Sequence, residues 1–392
     1  MSDSYDVIVI GGAAIGSSIA FHLASEPGFK GRILVVEQDP TYQRCASALS
    51  AASIRQQYST PLNIDISLYG IRFLREIGPR LEVEGVQPDI GLTEAGYLFL
   101  ASVAGAPALV AAHALQTKRG ADIALLTPSA LAARFAWLST DGLALGSLGL
   151  SGEGWFDGYG LMQAFRRKAR ALGVSYRAAR VEAIETSGGA VRGVRLATGD
   201  KVSCAVVVNA AGTDGARLAR TAGLDLPVVA KKRMIFTFTC AEAVPDCPLL
   251  IDPTGVYVRP EGKGFLCGCA PPPDQDPESK DFDVDHSFFE ERIWPVLAHR
   301  VPAFERIRQG RAWAGHYDMN LFDHNAILGP VPGLDTLLLA NGFSGHGLQQ
   351  SPAVGRGLAE WITYGAYVSL DLSALGYDRL TRHAPMLETA VV

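Results

Sequence analysis

The chain has 392 residues, 48% of them apolar, and a formal net charge of −5. That length suits two domains, and that apolar share supports a sizeable core. An acidic balance with no basic block excludes nucleic acid and anionic membrane as expected partners.

The first predicted elements form one unit over residues 5–39, YDVIVIGGAAIGSSIAFHLASEPGFKGRILVVEQD. Residues 7–10 are a short apolar run suited to a buried parallel strand. A turn with Gly11, Gly12 and Gly16 follows, residues 15–23 carry helical spacing, and 33–36 form a second buried strand ending in Glu37. Strand, tight turn, helix, strand and acid in this order make the βαβ unit that holds a dinucleotide. The helix N-terminus offers unpaired N–H groups and a partial positive charge to a pyrophosphate. Glu37 is placed to accept the ribose hydroxyls, which argues against a 2′-phosphorylated cofactor. In the G-x-G-x-x-G register the middle glycine is replaced by Ala13, whose methyl tightens the space beside the phosphates. A strand beginning near residue 6 leaves no room for a signal peptide, and a cytoplasmic location is expected.

Residues 45–59, CASALSAASIRQQYS, open with small Ser and Ala side chains that suit packing against a flat ligand. Beyond them Arg55 is a candidate for a bidentate grip on a carboxylate, the alternative being an ordinary salt bridge. A long helix is expected over 62–81. Residues 98–115 carry no formal charge, but Gly105, Pro107 and His113 interrupt them. A strand over 97–101 followed by a helix start is therefore expected in place of a membrane span. The rest of 86–150 reads as mixed strands and Ala-rich helix. Another helix is expected over 160–172, and 174–182 with 191–196 read as hairpin strands. Residues 202–212, VSCAVVVNAAG, read as a buried parallel strand whose small end lets backbone approach the same ligand.

From residue 226 the texture changes to alternating runs, 226–240, 255–259 and 264–270, which predict an antiparallel sheet. The acidic, proline-rich stretch 271–286 lacks the central glycine and terminal glutamate of an EF-hand and reads as a solvated loop. Of six cysteines only Cys267 and Cys269 are close. Two thiols do not make a structural metal site, and no metal is expected. A helix is predicted over 287–300 with a kink at Pro295. Residues 337–352, LLLANGFSGHGLQQSP, read as strand, glycine loop and helix, with Ser351 as N-cap, Pro352 in the first turn and an end near Gly365. This loop is a second anion platform.

Together these stretches resemble the FAD-dependent amine and amino-acid oxidases of the DAO superfamily, the glycine oxidase, sarcosine oxidase and dimethylglycine dehydrogenase group. The resemblance spans nearly the whole chain. It implies a two-domain α/β plus antiparallel-sheet fold, with a discontinuous Rossmann-type FAD domain (1–85, 152–225 and 312–392) and a substrate domain (86–151 and 226–311). By similarity Gly11, Ala13, Ala14, Ile15 and Gly16 should lie on the pyrophosphate, and Glu37 and Gln38 by the adenosine ribose. Arg44, Ser47, Ser50 and Ala51 should lie between pyrophosphate and isoalloxazine, with Val181, Ala211 and Gly212 also on the cofactor. Gly345, His346, Gly347, Leu348 and Gln349 should approach the flavin pyrimidine edge, where reduction places negative charge. Gly315 stands where some relatives carry a flavin-linked cysteine, so noncovalent FAD is expected.

The resemblance also implies oxidation of a CH–NH group in a small amino-acid or secondary-amine carboxylate, with O2 as the acceptor or another acceptor in its place. Arg55 matches the family's carboxylate anchor. Gln349 replaces the sarcosine oxidase lysine, and Tyr317 the glycine oxidase arginine. Tyr257, Arg259 and Lys232 are candidates for a replacement, and a second cation would suit a dicarboxylate such as iminodiacetate. Arg55, His346 and Tyr317 are the catalytic candidates. Leu266 stands where some sarcosine oxidases have an oxygen-activating lysine. A 2-hydroxy-acid dehydrogenase and a flavin-bearing assembly protein are the competing readings.

Overall fold

The computed structural model describes residues 4–389. Two eight-stranded sheets organise it. The first is built on Ser4–Ile10, which runs parallel to Ile33–Glu37 on one side and to Lys201–Asn209 on the other. Beyond Lys201–Asn209 lies Leu334–Asn341, also parallel, and Ile327–Val331 pairs antiparallel at that edge. Side chains alternate between two apolar layers. Val7, Val9, Val35 and Val208 share a core with Ile19, Phe165 and Leu358 of the helices Ala14–Ser25, Gly158–Ala171 and Gly347–Tyr364. Ile8, Ile10, Leu34 and Val207 pack with Ile184, Val194 and Leu218 on the other side. Both faces are covered, which is why these strands read as unbroken apolar runs.

The run expected as one strand over 174–182 is two. Ser175–Ala178 joins the first sheet parallel to Ile33–Glu37, and the hairpin is formed by Val181–Ser187 with Ala190–Leu196. The Ala179 N–H still donates to the Glu37 carbonyl, so the chain leaves the sheet edge only at Arg180.

The second sheet has the order Ile307–Asn320, Val228–Cys240, Gly264–Gly268, Tyr257–Glu261, Leu249–Ile251, Tyr97–Ala101, Leu145–Gly149, Ile123–Leu126. It is antiparallel throughout except where Leu249–Ile251 runs parallel to Tyr97–Ala101. Its long strand Ile307–Asn320 crosses residue 312, where a domain boundary was expected. One face carries Leu98, Leu100, Phe236, Phe238 and Val258 against Phe289, Leu297 and Phe304. The opposite face presents Tyr97, Leu249 and Ile251 with the partly buried Phe99 and Tyr257.

Prolines explain two helix corrections. The helix expected over 62–81 is Pro61–Arg75 and then Ile77–Arg80, because Pro79 has no N–H for the Arg75 carbonyl. Around Pro295 the predicted kink is a π-turn, Phe289–Ile293, between His286–Phe288 and Trp294–Arg300. Pro295 cannot bond the Glu291 carbonyl, and the wider turn absorbs the mismatch. Tyr97–Ala101 and Ala106–Lys118 occupy the charge-free stretch, and no helix of the described residues is long and apolar enough to cross a membrane.

Candidate active site

A cavity of about 400 Å³ is walled by both sheets. One end is the βαβ turn. Gly11 sits at φ +97°, and a Cβ there would lie 2.4 Å from the Ala210 carbonyl oxygen. A Cβ at Gly16 would lie 1.9 Å from the Gly11 carbonyl oxygen, so the helix packs directly on the turn. Ala13 has φ −71° and ψ −163°, extended backbone open to any residue, and it lines the cavity beside Ile15. Glu37 lines the same end. Its Oε2 accepts from the Gly12 N–H at 2.7 Å and its Oε1 from the Asp39 N–H at 2.8 Å. Each oxygen has a second lone pair for a ligand hydroxyl. Burial holds this carboxyl above its ordinary range. Gln38, Val181, Ala211 and Gly212 line this end too.

Arg44, Ser47, Ser50 and Ala51 continue the wall. The Arg44 guanidinium stacks 4.9 Å over the Phe282 ring, and Ser47 Oγ accepts from the Ala14 N–H at 3.3 Å. At the far end stand Tyr257, Tyr317, Gly345, Gly347 and Leu348. Gly345 is at φ +91°, and a Cβ there would lie 2.5 Å from the Tyr317 ring.

A second cavity of about 60 Å³ adjoins the first. The two share Ser50, Ala51, Tyr257, Tyr317, Gly345 and Leu348 as walls. Arg55, His346 and Gln349 line only the small one, together with Tyr97, Leu249 and Ile251. Arg55 is 2% exposed. Its guanidinium donates to the Gln57 carbonyl, lies 3.1 Å from His346 Nε2 and covers the Tyr58 ring at 4.2 Å. A guanidinium only donates, so His346 Nε2 accepts and the imidazole is the neutral Nδ1–H tautomer. Burial first, and Arg55 second, push the His346 pKa down to about 3, in the same direction. Gln349 Oε1 accepts from the Arg55 N–H at 3.0 Å, and its Nε2 donates to the Tyr58 hydroxyl at 2.5 Å.

Residues 6–361 match the family model described as FAD dependent oxidoreductase. The chain belongs to this FAD-dependent oxidoreductase family. It is 40% identical over 422 residues to FAD-dependent oxidoreductase domain-containing protein 1 of Xenopus laevis, covering 99% of this chain and 85% of that one. Its fold is similar to that of L-proline dehydrogenase from P. horikoshii, with TM-score 0.86 at 22% identity over 98% of this chain and 100% of that one. It is also similar to glycine oxidase from Geobacillus kaustophilus, with TM-score 0.81 at 23% identity over 96% and 98%.

FAD is the cofactor of this oxidoreductase, and the large cavity fits it. A glycine turn with no room for a Cβ meets a helix N-terminus, and a carboxylate with spare lone pairs faces the same space. Ala14 and Gly16 shape that turn without lining the cavity. Two other expected residues are elsewhere. Arg259 shares a sheet face with Tyr257, but its guanidinium donates to the Ala51 carbonyl at 2.7 Å and pairs with Glu261, and it lines neither cavity. Lys232 also lines neither and pairs with Asp281 at 2.7 Å.

The oxidoreductase also places residues at the site that sequence reasoning missed. Arg233 lines the large cavity, holds Asp276 through both carboxylate oxygens at 2.9 and 3.0 Å, and lies 5.3 Å over the Tyr317 ring. The loop 271–286 is not simply solvated, since Lys280 and Phe282 line the cavity and Phe282 meets His316 edge-on at 4.6 Å. Tyr97, Leu249 and Ile251 had one available signal, strand parity, which sets them on the face opposite Leu98 and Leu250.

Proposed function

We propose that this FAD-dependent oxidoreductase oxidises the C–N bond of a small amino acid or N-substituted glycine bearing one carboxylate. The reading is carried by the junction of the two cavities, where the space lined by the βαβ turn shares a wall with a small pocket whose remaining wall holds the buried Arg55. FAD supplies the acceptor for a hydride from the substrate α-carbon. Arg55 holds the carboxylate, and the neutral His346 fixes the guanidinium plane through Nε2. Tyr97, Leu249 and Ile251 exclude water, which favours the uncharged amine and leaves no need for a dedicated base. Burial holds the Tyr257 and Tyr317 phenols above their ordinary range, so both stay protonated as donors beside the amine. The imine product hydrolyses in water to an amine and an oxo acid, and O2 takes the electrons as H2O2.

The small cavity has Arg55 as its one lysine or arginine among the described residues, so a second carboxylate would meet no partner there. This favours sarcosine- or proline-like monocarboxylates over iminodiacetate. The FAD domain is taken as 1–85, 152–225 and 312–392, with the substrate domain as the remainder. FAD is held without a covalent bond. Gly315 and Cys45 both line the cavity, and burial pushes the Cys45 thiol up to about 11, which keeps it protonated and unreactive. Acid precipitation should leave the yellow colour in the supernatant; a coloured pellet overturns this point.

Anaerobic bleaching of the visible flavin band tests the activity, with sarcosine, dimethylglycine, glycine, D-proline, iminodiacetate and 2-hydroxyglutarate as the panel. Bleaching by an amine monocarboxylate is expected. Bleaching by 2-hydroxyglutarate alone, or by nothing in the panel, overturns the reading. Arg55→Met should raise KM about 100-fold with FAD content unchanged. Peroxide formed under air separates O2 from another acceptor.

A further inference from the structure

Arg55 sits on a loop whose shape is imposed from outside. The chain curls so that the Arg55 guanidinium reaches back to the Gln57 carbonyl, and the Tyr58 N–H donates to the Gln56 carbonyl at 2.8 Å. That curl turns the N–H groups of Gln56 and Gln57 to the same side, away from any strand partner. One carboxylate takes both. Glu153 Oε1 accepts from the Gln56 N–H at 2.5 Å and the Gln57 N–H at 3.1 Å. Its Oε2 accepts from Gln57 Nε2 at 2.8 Å, and that nitrogen also donates to the Tyr97 carbonyl at 3.1 Å.

Glu153 is wholly buried, with 0% exposure. Burial pushes its pKa up to about 7 while its bonds from Gln57 and Gln56 pull it down, so the carboxylate form prevails above that pH, and every donor to it is neutral and belongs to the Arg55 loop. The local sequence is shaped around it. A Cβ at Gly149 would lie 1.9 Å from Glu153 Oε2, so only glycine leaves that space. Gly152, next to it, accepts from Gln56 Nε2 at 2.5 Å. Nothing in the oxidation mechanism uses this acid, and it lines neither cavity.

We propose that Glu153 is a positioning residue that moulds the 55–58 loop, so that Arg55 meets the substrate carboxylate with its guanidinium preset in plane and depth. This rests on the reading of Arg55 as the carboxylate anchor. A preset anchor acts on binding of a charged group, through geometry and lowered ordering cost, and leaves the chemical step alone. Glu153→Gln is the informative change. The oxygen of the new amide still accepts both backbone N–H groups, but its nitrogen faces Gln57 Nε2, donor against donor. Turning the Gln57 amide over would bring its unpaired Oε1 to that nitrogen but set the oxygen against the Tyr97 carbonyl, so the loop loses a contact either way.

The experiment titrates the FAD-loaded protein with acetate, and with acetamide as the uncharged control, following the flavin absorbance change and the melting temperature. E153Q should weaken acetate about tenfold, leave acetamide within about twofold, and raise substrate KM with kcat changed less than about threefold. Glu153→Gln with Gln57→Glu restores donor to acceptor between the two side chains but sets the new carboxylate against the Tyr97 carbonyl, and should recover only part of the acetate affinity. Gln57→Met, a milder change, should weaken acetate about threefold and serves if E153Q does not fold. A lowered melting temperature with acetate affinity unchanged would make Glu153 merely structural and overturn the inference. Arg55→Met separates the two levels. Loss of acetate binding in R55M with none in E153Q leaves the anchor reading standing and the inference wrong, whereas undiminished acetate binding in R55M overturns both.

Discussion

At the scale of single residues, the turn shows which positions require glycine and which only resemble ones that do. Gly11 and Gly16 are forced by carbonyl oxygens 2.4 and 1.9 Å from where a Cβ would stand. Ala13 occupies the third position of the motif with ordinary extended backbone, so its methyl costs no strain and simply becomes cavity wall. Ala13→Gly should therefore keep the fold and bind FAD at least as tightly, as measured by fluorescence titration of the apoprotein. A marked loss of FAD would mean that the methyl itself contributes to the site. The same scale explains what sequence reading missed. Glu153 lies in a short glycine-flanked segment with no motif, and its role exists only because Gln56 and Gln57 curl towards it.

At the scale of elements, the helix Gly347–Tyr364 begins well before the expected Ser351 cap. Pro352 lies inside it and has no N–H for the Leu348 carbonyl, yet the helix continues because Ser351 Oγ donates to that oxygen at 2.8 Å. The early start matters functionally, since it puts the helix N-terminus and Gly347 at the cavity wall rather than one turn away. Ser351→Ala should cost about 1–2 kcal/mol by leaving a buried carbonyl unpaired. Adding Pro352→Ala restores a backbone N–H and should recover most of that loss in chemical denaturation. Equal stabilities of wild type and S351A would show that the hydroxyl is not the substitute donor.

At the scale of the whole molecule, the site exists because the two sheets meet, and Asp318 is part of the join. It sits on the long strand of the second sheet and accepts from the Gly342 N–H, in the glycine loop of the first, at 2.8 Å. Burial raises its carboxyl from 3.8 to about 6. A carboxyl raised on folding contributes stability that is complete below its unfolded value and is lost as pH climbs through the folded one. Relative to Asp318→Asn, the wild type should thus lose ~2 kcal/mol between pH 4 and pH 7. Denaturation of both FAD-loaded proteins across that range checks the sign, and parallel curves would refute it.

Local pattern determined much of this protein. The βαβ unit, the Ser and Ala stretch, the strand ending at Asn209 and the glycine loop before Gly347 were all legible, because each is a run of neighbours whose spacing is itself the signal. Of the cavity-facing side chains of the second sheet, Tyr257 and Tyr317 were named from the sequence but others were not. Tyr97, Arg233 and the pair Leu249 and Ile251 come from three strands, and the pairing register decides which face each strand turns to the cavity. Arg259 shows this most clearly, because parity put it on the same face as Tyr257 while Ala51 and Glu261 took its donors. Sequence settled that a dinucleotide has a place here, since backbone geometry follows from local residue choice. The tertiary structure decided which cation meets the carboxylate, since that depends on contacts between residues hundreds of positions apart, such as Arg55 with His346 and Gln349.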